Sequence, residues 1–190
     1  MLFSSAILLA AGKSERFGGF KQGTVISGMP LVRKCAAALL DGGVDELIIV
    51  VGHMAEEVIT LLGQGRWKIV NNSEYKEGMG SSIRTGAGYV SESSRAILIA
   101  LSDLPYLTGE TIKNIVAGFE KCGKGILAPV HLGRRGHPVC FSRKYLGELK
   151  RLGGDSGARE LLDEHPEDLF LLEVGTDSIY DDIDTRGPGK

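Results

Sequence analysis

Short apolar runs that alternate with helix-like segments constrain the fold of this 190-residue chain more than any other feature of its sequence. The runs predict strands at Ala6–Leu9, Leu47–Val51, Lys68–Val70, Ala96–Leu101, Gly125–Val130 and Leu169–Val174. Helical spacing of apolar residues predicts helices at Pro30–Leu40, Ala55–Leu62 and Thr108–Cys122. This alternation is typical of an α/β fold with a mostly parallel sheet and helices on both faces.

Size and charge narrow the class of protein. A chain of this length with 43% hydrophobic residues can bury one core, so we expect a single domain over residues 1–190. The 22 basic and 24 acidic residues nearly cancel, which disfavours the broad basic face of a nucleic-acid binder. No apolar run is long enough to predict a membrane span, and the three cysteines lack metal-ligand spacing. We therefore expect a cytoplasmic protein with a small-molecule partner.

The loop after the first strand has the composition of an anion-binding segment. Ala10, Ala11 and Gly12 leave the backbone open to close approach, so N–H groups can face a phosphate. Arg16 adds a planar guanidinium and Lys21 a mobile ammonium group, which together can neutralise a polyphosphate from two sides. The glycine spacing fits neither a Walker loop nor a dinucleotide fingerprint. An ordinary basic strand-to-helix loop is the alternative for this segment taken alone.

The sequence L-A-A-G-K-S-E-R-F-G, followed by Lys21, resembles the signature loop of nucleotidyltransferases with a GT-A-type, Rossmann-like fold. Within that superfamily it resembles the MobA-like branch, which includes the molybdenum cofactor cytidylyltransferases and guanylyltransferases. The resemblance implies that the loop binds a nucleoside triphosphate. The nucleotide-binding residues implied in this loop are Leu9, Ala10, Ala11, Gly12, Ser14, Arg16 and Lys21.

Asp103 is the leading candidate for a metal ligand. It follows the apolar run A-I-L-I-A-L, where a carboxylate is costly unless it is solvated or paired with a cation, and Mg²⁺ is a natural partner. A turn aspartate before Pro105 is the alternative. In the family that the chain resembles, the Asp-x-Pro element supplies the metal-binding aspartate. The segment D-I-D-T resembles a second acidic element of the family, so Asp182 or Asp184 is the predicted second ligand, with a solvated acidic strand end as the alternative.

Three small residues mark a second part of the predicted nucleotide site. Gly80, Ser81 and Ser82 fall at the start of a helix, where N–H and O–H donors can face a ligand. The position of Ser82 matches the family residue that reaches the pyrimidine base. A plain N-cap role for either serine is the alternative.

Two further motifs lie more than a hundred residues beyond the first loop. They are R-G-H-P, which contains His137, and G-D-S-G-A-R, which contains Asp155 and Arg159. Matching elements in the family line the second-substrate side, so these three residues are the predicted acceptor-binding residues. For His137, a turn histidine before proline is the alternative.

Together the resemblance covers the chain from Leu9 to Thr185 and implies Mg²⁺-dependent nucleotidyl transfer with Arg16, Lys21 and Asp103 as catalytic residues. An acceptor phosphate would attack the α-phosphorus of the NTP, and pyrophosphate would leave. The L-A-A-G sequence favours CTP, because the guanylyltransferase branch more often has L-A-G-G.

The implied acceptor is the molybdopterin-bound molybdenum cofactor, and a molybdenum enzyme would receive the product. The alternatives are a GTP-using guanylyltransferase, a methylerythritol-phosphate cytidylyltransferase suggested by Lys21-Gln22, and a non-catalytic cofactor carrier.

Overall fold

The computed structural model describes residues 2–13, 19–155 and 157–182, which form a central sheet flanked by helices. The strands are β1 (Ser4–Ala10), β2 (Val25–Ile26), β3 (Met29–Pro30), β4 (Glu46–Val51), β5 (Lys68–Asn71), β6 (Ala96–Leu101), β7 (Ile126–His131), β8 (Arg134–Arg135), β9 (Val139–Ser142) and β10 (Leu169–Glu173). The helices are α1 (Leu31–Asp41), α2 (Ala55–Leu62), α3 (Met79–Ala87), α4 (Gly109–Cys122), α5 (Leu146–Leu149) and α6 (Arg159–Glu164). Short 3₁₀ turns lie at Lys21–Gly23, Tyr75–Glu77, Arg143–Tyr145, Pro166–Asp168 and Asp177–Ile179.

The main sheet has the order β10-β7-β9-β6-β1-β4-β5, with β8 paired to β7, while β2 and β3 form a separate hairpin. β1 is parallel to both of its neighbours, β4 and β6, and β5 is parallel to β4. β9 runs antiparallel to β6 and β7, and β10 is again parallel to β7. The predicted α/β fold with a mostly parallel sheet is confirmed.

The two faces of the sheet carry separate hydrophobic cores. Successive residues of β1 point to opposite faces, so Leu8 packs in one core and Ile7 in the other. The first core contains buried residues of α1, α2 and α4, including Leu39 and Ile112. The second contains buried residues of α3, α5 and α6, including Ile83. Helices therefore cover both faces, as the sequence predicts.

Each of the six predicted strands is present, and the predicted helices at Pro30–Leu40, Ala55–Leu62 and Thr108–Cys122 correspond to α1, α2 and α4. Thr108 caps α4, because its Oγ1 accepts a hydrogen bond of 3.2 Å from the backbone N–H of Thr111. The sequence did not predict the short strands β2, β3, β8 and β9.

The central strands create the place where a ligand can bind. β1 leads through α1 to β4 on one side, whereas its other neighbour is β6, so the chain order changes direction at β1. Leu9 of β1 lies opposite Leu101 of β6. The loops that follow these strands therefore leave the same edge of the sheet next to each other, at the topological switch point where open α/β sheets bind ligands. No helix among the described residues is both long and apolar enough to cross a bilayer.

Candidate active site

A cleft of about 680 Å³ opens at this edge of the sheet. It receives residues from the loops after β1 and β6, from the turn before α3 and from the loop before α6. The residues that line it are Leu9, Ala11, Gly12, Lys13, Lys21, Gln22, Tyr75, Lys76, Gly78, Met79, Ser82, Leu101, Ser102, Asp103 and Asp155. Lysines and carboxylates therefore face one enclosed space, as binding of a metal–polyphosphate requires.

The segment after β1 brings bare backbone to the cleft. Ala11 is 3% exposed, and its carbonyl accepts a hydrogen bond of 3.2 Å from the backbone N–H of His53. Gly12 is exposed, and within the described part of the chain no heavy atom beyond its immediate neighbours lies within 4 Å of the position that a Cβ would occupy. The side chain of Gln22 donates a hydrogen bond of 3.0 Å to the Gly12 carbonyl. Hydrogen bonds from His53 and Gln22 therefore hold the backbone of Ala11 and Gly12 in place, and Gly12 remains exposed at the cleft.

Two predicted residues of this loop, Ser14 and Arg16, lie outside the described residues. Their roles remain predictions. Ala10 is buried in the sheet and does not line the cleft, whereas Leu9 does.

Lys21 and Asp103 form an ion pair at the floor of the cleft. Lys21 Nζ lies 3.1 Å from Oδ2 of Asp103, and the lysine is only 5% exposed. The other carboxylate oxygen, Oδ1, is buried and has no hydrogen-bond partner among the described residues. An unpartnered buried carboxylate oxygen is costly, and a cation bound to it would satisfy it.

Asn72 and the serines at the start of α3 form a buried polar network. Asn72, which follows β5, is 2% exposed and donates hydrogen bonds of 2.9 Å to Ser81 Oγ and 3.0 Å to Ser82 Oγ. Ser81 is fully buried, whereas Ser82 lines the cleft. The structure therefore directs one of the two predicted serines to the cleft and places the other behind it.

The loop before α6 packs directly on the start of α3. The backbone N–H of Gly80 donates a hydrogen bond of 2.9 Å to the Gly154 carbonyl, so this predicted nucleotide-binding residue contacts protein backbone. A Cβ on Gly80 would overlap the backbone of Gly153. Arg84 supports the same contact by donating to the Leu152 carbonyl at 3.2 Å. The missing side chain of Gly80 permits this close approach, and Asp155, which follows Gly154, lines the cleft.

The predicted acceptor-binding residues occupy different positions. Asp155 is exposed and lines the cleft, whereas Arg159 is exposed at the start of α6 and is not part of the lining. His137 is half-buried before β9, with Nδ1 3.4 Å from the Ile99 carbonyl. Burial lowers the pKa of His137 from its ordinary value, and the nearby Asp103 carboxylate opposes this shift.

The C-terminal acidic segment is only partly described. Asp182 is half-buried, and its backbone N–H donates to the Tyr180 carbonyl at 3.0 Å. Asp182 is not part of the cleft lining, and Asp184 lies outside the described residues. The turn Asp177–Ile179, which precedes this segment, contacts the R-G-H-P motif, because the backbone N–H of His137 donates to the Ile179 carbonyl at 2.7 Å.

The structure also brings residues to the cleft to which sequence reasoning assigned no role. Tyr75, Lys76 and Met79 line it, and Gln22 both lines it and holds the Gly12 loop. The position of Gln22 directly after Lys21 could have indicated its place in the cleft, because both residues lie in the short turn Lys21–Gly23. Asn72 was recognisable as a polar residue after a strand, but its contact with the serines was not.

Comparisons with known proteins show the family of this chain. The family model for the MobA-like NTP transferase domain matches residues 6–169. The curated nicotine blue oxidoreductase of Paenarthrobacter nicotinovorans is 30% identical over 188 residues, which cover 95% of this chain and 92% of that protein.

Solved structures show the same architecture. Rv0371c from Mycobacterium tuberculosis H37Rv superposes with a TM-score of 0.81 and 26% identity, covering 92% of this chain and 89% of that one. Its structure in complex with manganese gives a TM-score of 0.79 at 24% identity, over 91% and 89% of the two chains. The 4-diphosphocytidyl-2C-methyl-D-erythritol synthase of Anaerococcus prevotii shares the fold, with a TM-score of 0.76 and 16% identity over 97% and 92%.

Proposed function

The chain belongs to the MobA-like NTP transferase domain family, and we propose that it transfers CMP from CTP to the molybdopterin-bound molybdenum cofactor and releases pyrophosphate. The observation that carries this proposal is the ion pair of Lys21 with Asp103 in the cleft. The second carboxylate oxygen of Asp103 has no hydrogen-bond partner among the residues that the structure describes. A phosphate oxygen of the acceptor attacks the α-phosphorus of the nucleotide. The bond from that phosphorus to the bridging oxygen breaks, and pyrophosphate carries the electron pair away.

The protein's part in this reaction is positioning and charge neutralisation. The open backbone at Gly12 allows close approach of the phosphates, and the buried Lys21 offers its ammonium group to the charge that develops on them. Arg16 would contribute a second cation from the same loop. A cation that the fold holds in place stabilises the transition state without the cost of reorientation.

The carboxylates fit a hard divalent cation. Asp103 Oδ1 is a buried oxygen to which none of the described residues donates a hydrogen bond, and carboxylate oxygen is the ligand type that Mg²⁺ prefers. Asp103, with Asp182 or Asp184, would hold Mg²⁺, which when bound neutralises triphosphate charge and polarises the α-phosphate. The manganese complex of Rv0371c supports a divalent-cation site in this fold.

Two features support CTP as the donor. Ala11 lines the cleft at the position where the guanylyltransferase branch more often has glycine. Ser82 also lines the cleft and has a hydroxyl group. On the acceptor side, Asp155 lines the cleft, and we propose that His137 and Arg159 complete that binding surface.

A second candidate is an oxidoreductase. It is favoured by the 30% identity to nicotine blue oxidoreductase over nearly the full length of both proteins. Such an activity would use the cleft for a redox nucleotide and a pigment-like acceptor. The Lys21–Asp103 pair favours nucleotidyl transfer over oxidoreduction. Nucleotidyl transfer uses a carboxylate to hold the metal ion that binds the triphosphate, whereas hydride transfer does not need one. Methylerythritol-phosphate cytidylyltransferase, GTP-using guanylyltransferase and non-catalytic carrier remain the narrower alternatives.

Pyrophosphate release distinguishes these activities. The purified protein is incubated with Mg²⁺ and each of the four NTPs, in parallel with molybdenum cofactor and with methylerythritol phosphate. Release with CTP and molybdenum cofactor alone supports the proposal, whereas release with GTP or with the sugar phosphate assigns one of the other transferases. No release with any pair, accompanied by oxidation of NADH or NADPH in the presence of a quinonoid dye, supports the oxidoreductase. Tight cofactor binding without either reaction supports a carrier.

A further inference from the structure

We infer that Arg84 is a positioning residue that joins two walls of the cleft and thereby holds Asp155 in place for the acceptor. One wall is the turn Tyr75–Glu77, from which Tyr75 lines the cleft, and the other is loop 152–155, from which Asp155 lines it. The inference rests on the proposed function, because it concerns how the acceptor side of the same cleft is maintained.

The turn is fixed to the body of the protein without help from Arg84. The backbone N–H of Glu74 donates a hydrogen bond of 2.9 Å to Asn72 Oδ1. Ser81 Oγ lies 2.8 Å from the Gly78 carbonyl and 3.0 Å from the Glu74 carbonyl, and it can donate its proton to either. Asn72 and Ser81 are buried, so water does not compete for these contacts. The turn is therefore a stable wall to which another segment can be attached.

Loop 152–155 is joined to α3 by two hydrogen bonds in the described part of the chain. The backbone N–H of Gly80 donates to the Gly154 carbonyl at 2.9 Å, and Nη1 of Arg84 donates to the Leu152 carbonyl at 3.2 Å. Gly80 lets the loop lie against the helix, because a Cβ there would overlap the loop backbone. A glycine has no side chain with which to hold the loop, so the side-chain hydrogen bond comes from Arg84.

The loop is anchored at its first residue and flexible after it. Leu152 is 6% exposed and packs in the second core. Gly153 and Gly154 follow, and Gly154 has a φ of +67°, which a glycine adopts without strain. Because glycine permits many backbone conformations, Asp155 keeps its position only if the peptide groups before it are held. The carbonyl that Arg84 binds is the first of these groups.

Two glutamates of the turn orient the guanidinium group of Arg84. Its Nη2 lies 2.7 Å from Oε2 of Glu74 and 3.0 Å from Oε2 of Glu77, while Nη1 reaches the Leu152 carbonyl. The guanidinium is planar, so two contacts at one nitrogen also fix the direction in which the other nitrogen donates. Exposed ion pairs of this kind add little to stability. We therefore expect the effect of Arg84 in the cleft and not in the unfolding of the protein.

The amide hydrogen of Gly80 reports whether the loop is docked. Gly80 is the second residue of α3, where backbone N–H groups have no partner within the helix, so its protection comes from the Gly154 carbonyl. In ligand-free Arg84→Met, hydrogen exchange at Gly80, measured by NMR, should be about five-fold or more faster than in the wild-type protein. Arg143→Met is the matched control, because Arg143 also donates to backbone carbonyls, in the loop before β6. It should leave the exchange at Gly80 unchanged.

The expected consequence for turnover is a change in KM for the acceptor alone. Pyrophosphate release is measured against the concentration of molybdenum cofactor with CTP saturating, and then the reverse. In Arg84→Met, KM for the cofactor should rise about five-fold or more, because only molecules with Asp155 in place bind it tightly. KM for CTP and the thermal midpoint should change little.

Two further variants show how Arg84 acts. Arg84→Lys keeps the charge but has a single ammonium group, which cannot reproduce the spacing of the guanidinium donors, so most of the effect should remain. In the Asp155→Ala background, Arg84→Met should raise KM for the cofactor no further, because the residue that it positions is already absent.

The inference is overturned if Arg84→Met leaves either the exchange at Gly80 or KM for the cofactor at its wild-type value, or if Arg84→Lys restores both. It is also overturned if the effects of Arg84→Met and Asp155→Ala simply add, or if both KM values rise equally as the thermal midpoint falls, which would indicate a structural role only. If the wild-type protein shows no turnover with any acceptor, the proposed function fails, and exchange at Gly80 alone decides whether Arg84 holds the loop. If Arg84→Met does not fold, as judged by circular dichroism, Arg84→Lys gives the decision.

Discussion

Lys21 Nζ lies 3.1 Å from Oδ2 of Asp103, although the two residues are 82 positions apart in the chain. The lysine is almost fully buried, and the second oxygen of the carboxylate has no hydrogen-bond partner among the described residues. Lys21 therefore pairs with one oxygen, and none of the described residues donates a hydrogen bond to the other. This asymmetry leads to the first two predictions.

Asp103→Asn should abolish metal-dependent turnover while preserving the fold. The amide keeps the size of the side chain but removes the charge that would bind a divalent cation, so we expect kcat to fall at least about 100-fold. The measurement is pyrophosphate release as a function of Mg²⁺ concentration, with the thermal midpoint recorded for each variant. Asp163→Asn, an exposed change on α6, is the matched control. A folded Asp103→Asn protein with normal turnover would rule out the metal assignment.

Lys21→Met should reduce turnover and stability together. The lost ammonium group lowers kcat by about 100-fold or more if it stabilises the charge on the phosphates. The Asp103 carboxylate also loses its counter-ion, and because it is partly exposed we expect a loss in unfolding free energy of about 1–3 kcal/mol. Initial rates of pyrophosphate release give kcat, and urea denaturation gives the free energy of unfolding. Lys76→Met, at an exposed position in the same cleft, should change KM more than kcat, and a similar kcat loss there would argue against a specific role for Lys21.

Gly12→Ala should weaken nucleotide binding without destabilising the protein. No atom of the other described residues lies within 4 Å of the added methyl group, apart from its two chain neighbours, so a ligand against the backbone would meet it. We expect Kd for CTP to rise about ten-fold or more, with the thermal midpoint unchanged within about 1 °C. Gly147→Ala on α5, where the methyl would also have room, serves as the control. Unchanged affinity for CTP would favour the alternative that this segment is an ordinary basic strand-to-helix loop.

His137 should make the protein less stable in mild acid. Burial lowers the pKa of His137 in the folded state, so below about pH 6.5 the unfolded chain binds a proton that the folded protein does not. The free energy of unfolding should then decrease as the pH falls from 7.5 through 6.5, by at most about 1.4 kcal/mol per pH unit.

Urea denaturation of the wild-type protein and His137→Gln at several pH values isolates this contribution from the other histidines. The variant should show the flatter profile between pH 7 and pH 5. Parallel profiles would mean that His137 titrates alike in both states.

Much of the framework follows from the sequence. Six apolar runs predicted β1, β4, β5, β6, β7 and β10. The signal is clearest in β1, β4 and β6, because buried parallel strands leave nearly continuous apolar sequence. Their order along the chain was enough to place the loops after β1 and β6 at the same edge of the sheet. For this reason Lys21 and Asp103, chosen from separate motifs, lie together in the cleft.

The remaining parts follow from contacts between segments that no local pattern encodes. β9 has four residues, and its sequence V-C-F-S carries neither a helical nor a strand period. It becomes a strand because the gap between β6 and β7 provides hydrogen-bond partners on both sides. Likewise, the contact of Gly80 with Gly154 joins segments more than seventy residues apart, so the position of Asp155 depends on packing.

The pairing of β1 with both β4 and β6 also determines the order in which these strands can associate during synthesis. Ser4 of β1 lies beside Ala96 of β6, and the cleft is formed where these two strands end. During synthesis from the N-terminus, β1 can pair with β4 early but must wait for about half of the polypeptide before its second edge is covered. The ligand site is therefore a late product of folding, and the exposed edge of β1 in the nascent chain is the point at which chaperone protection would matter most.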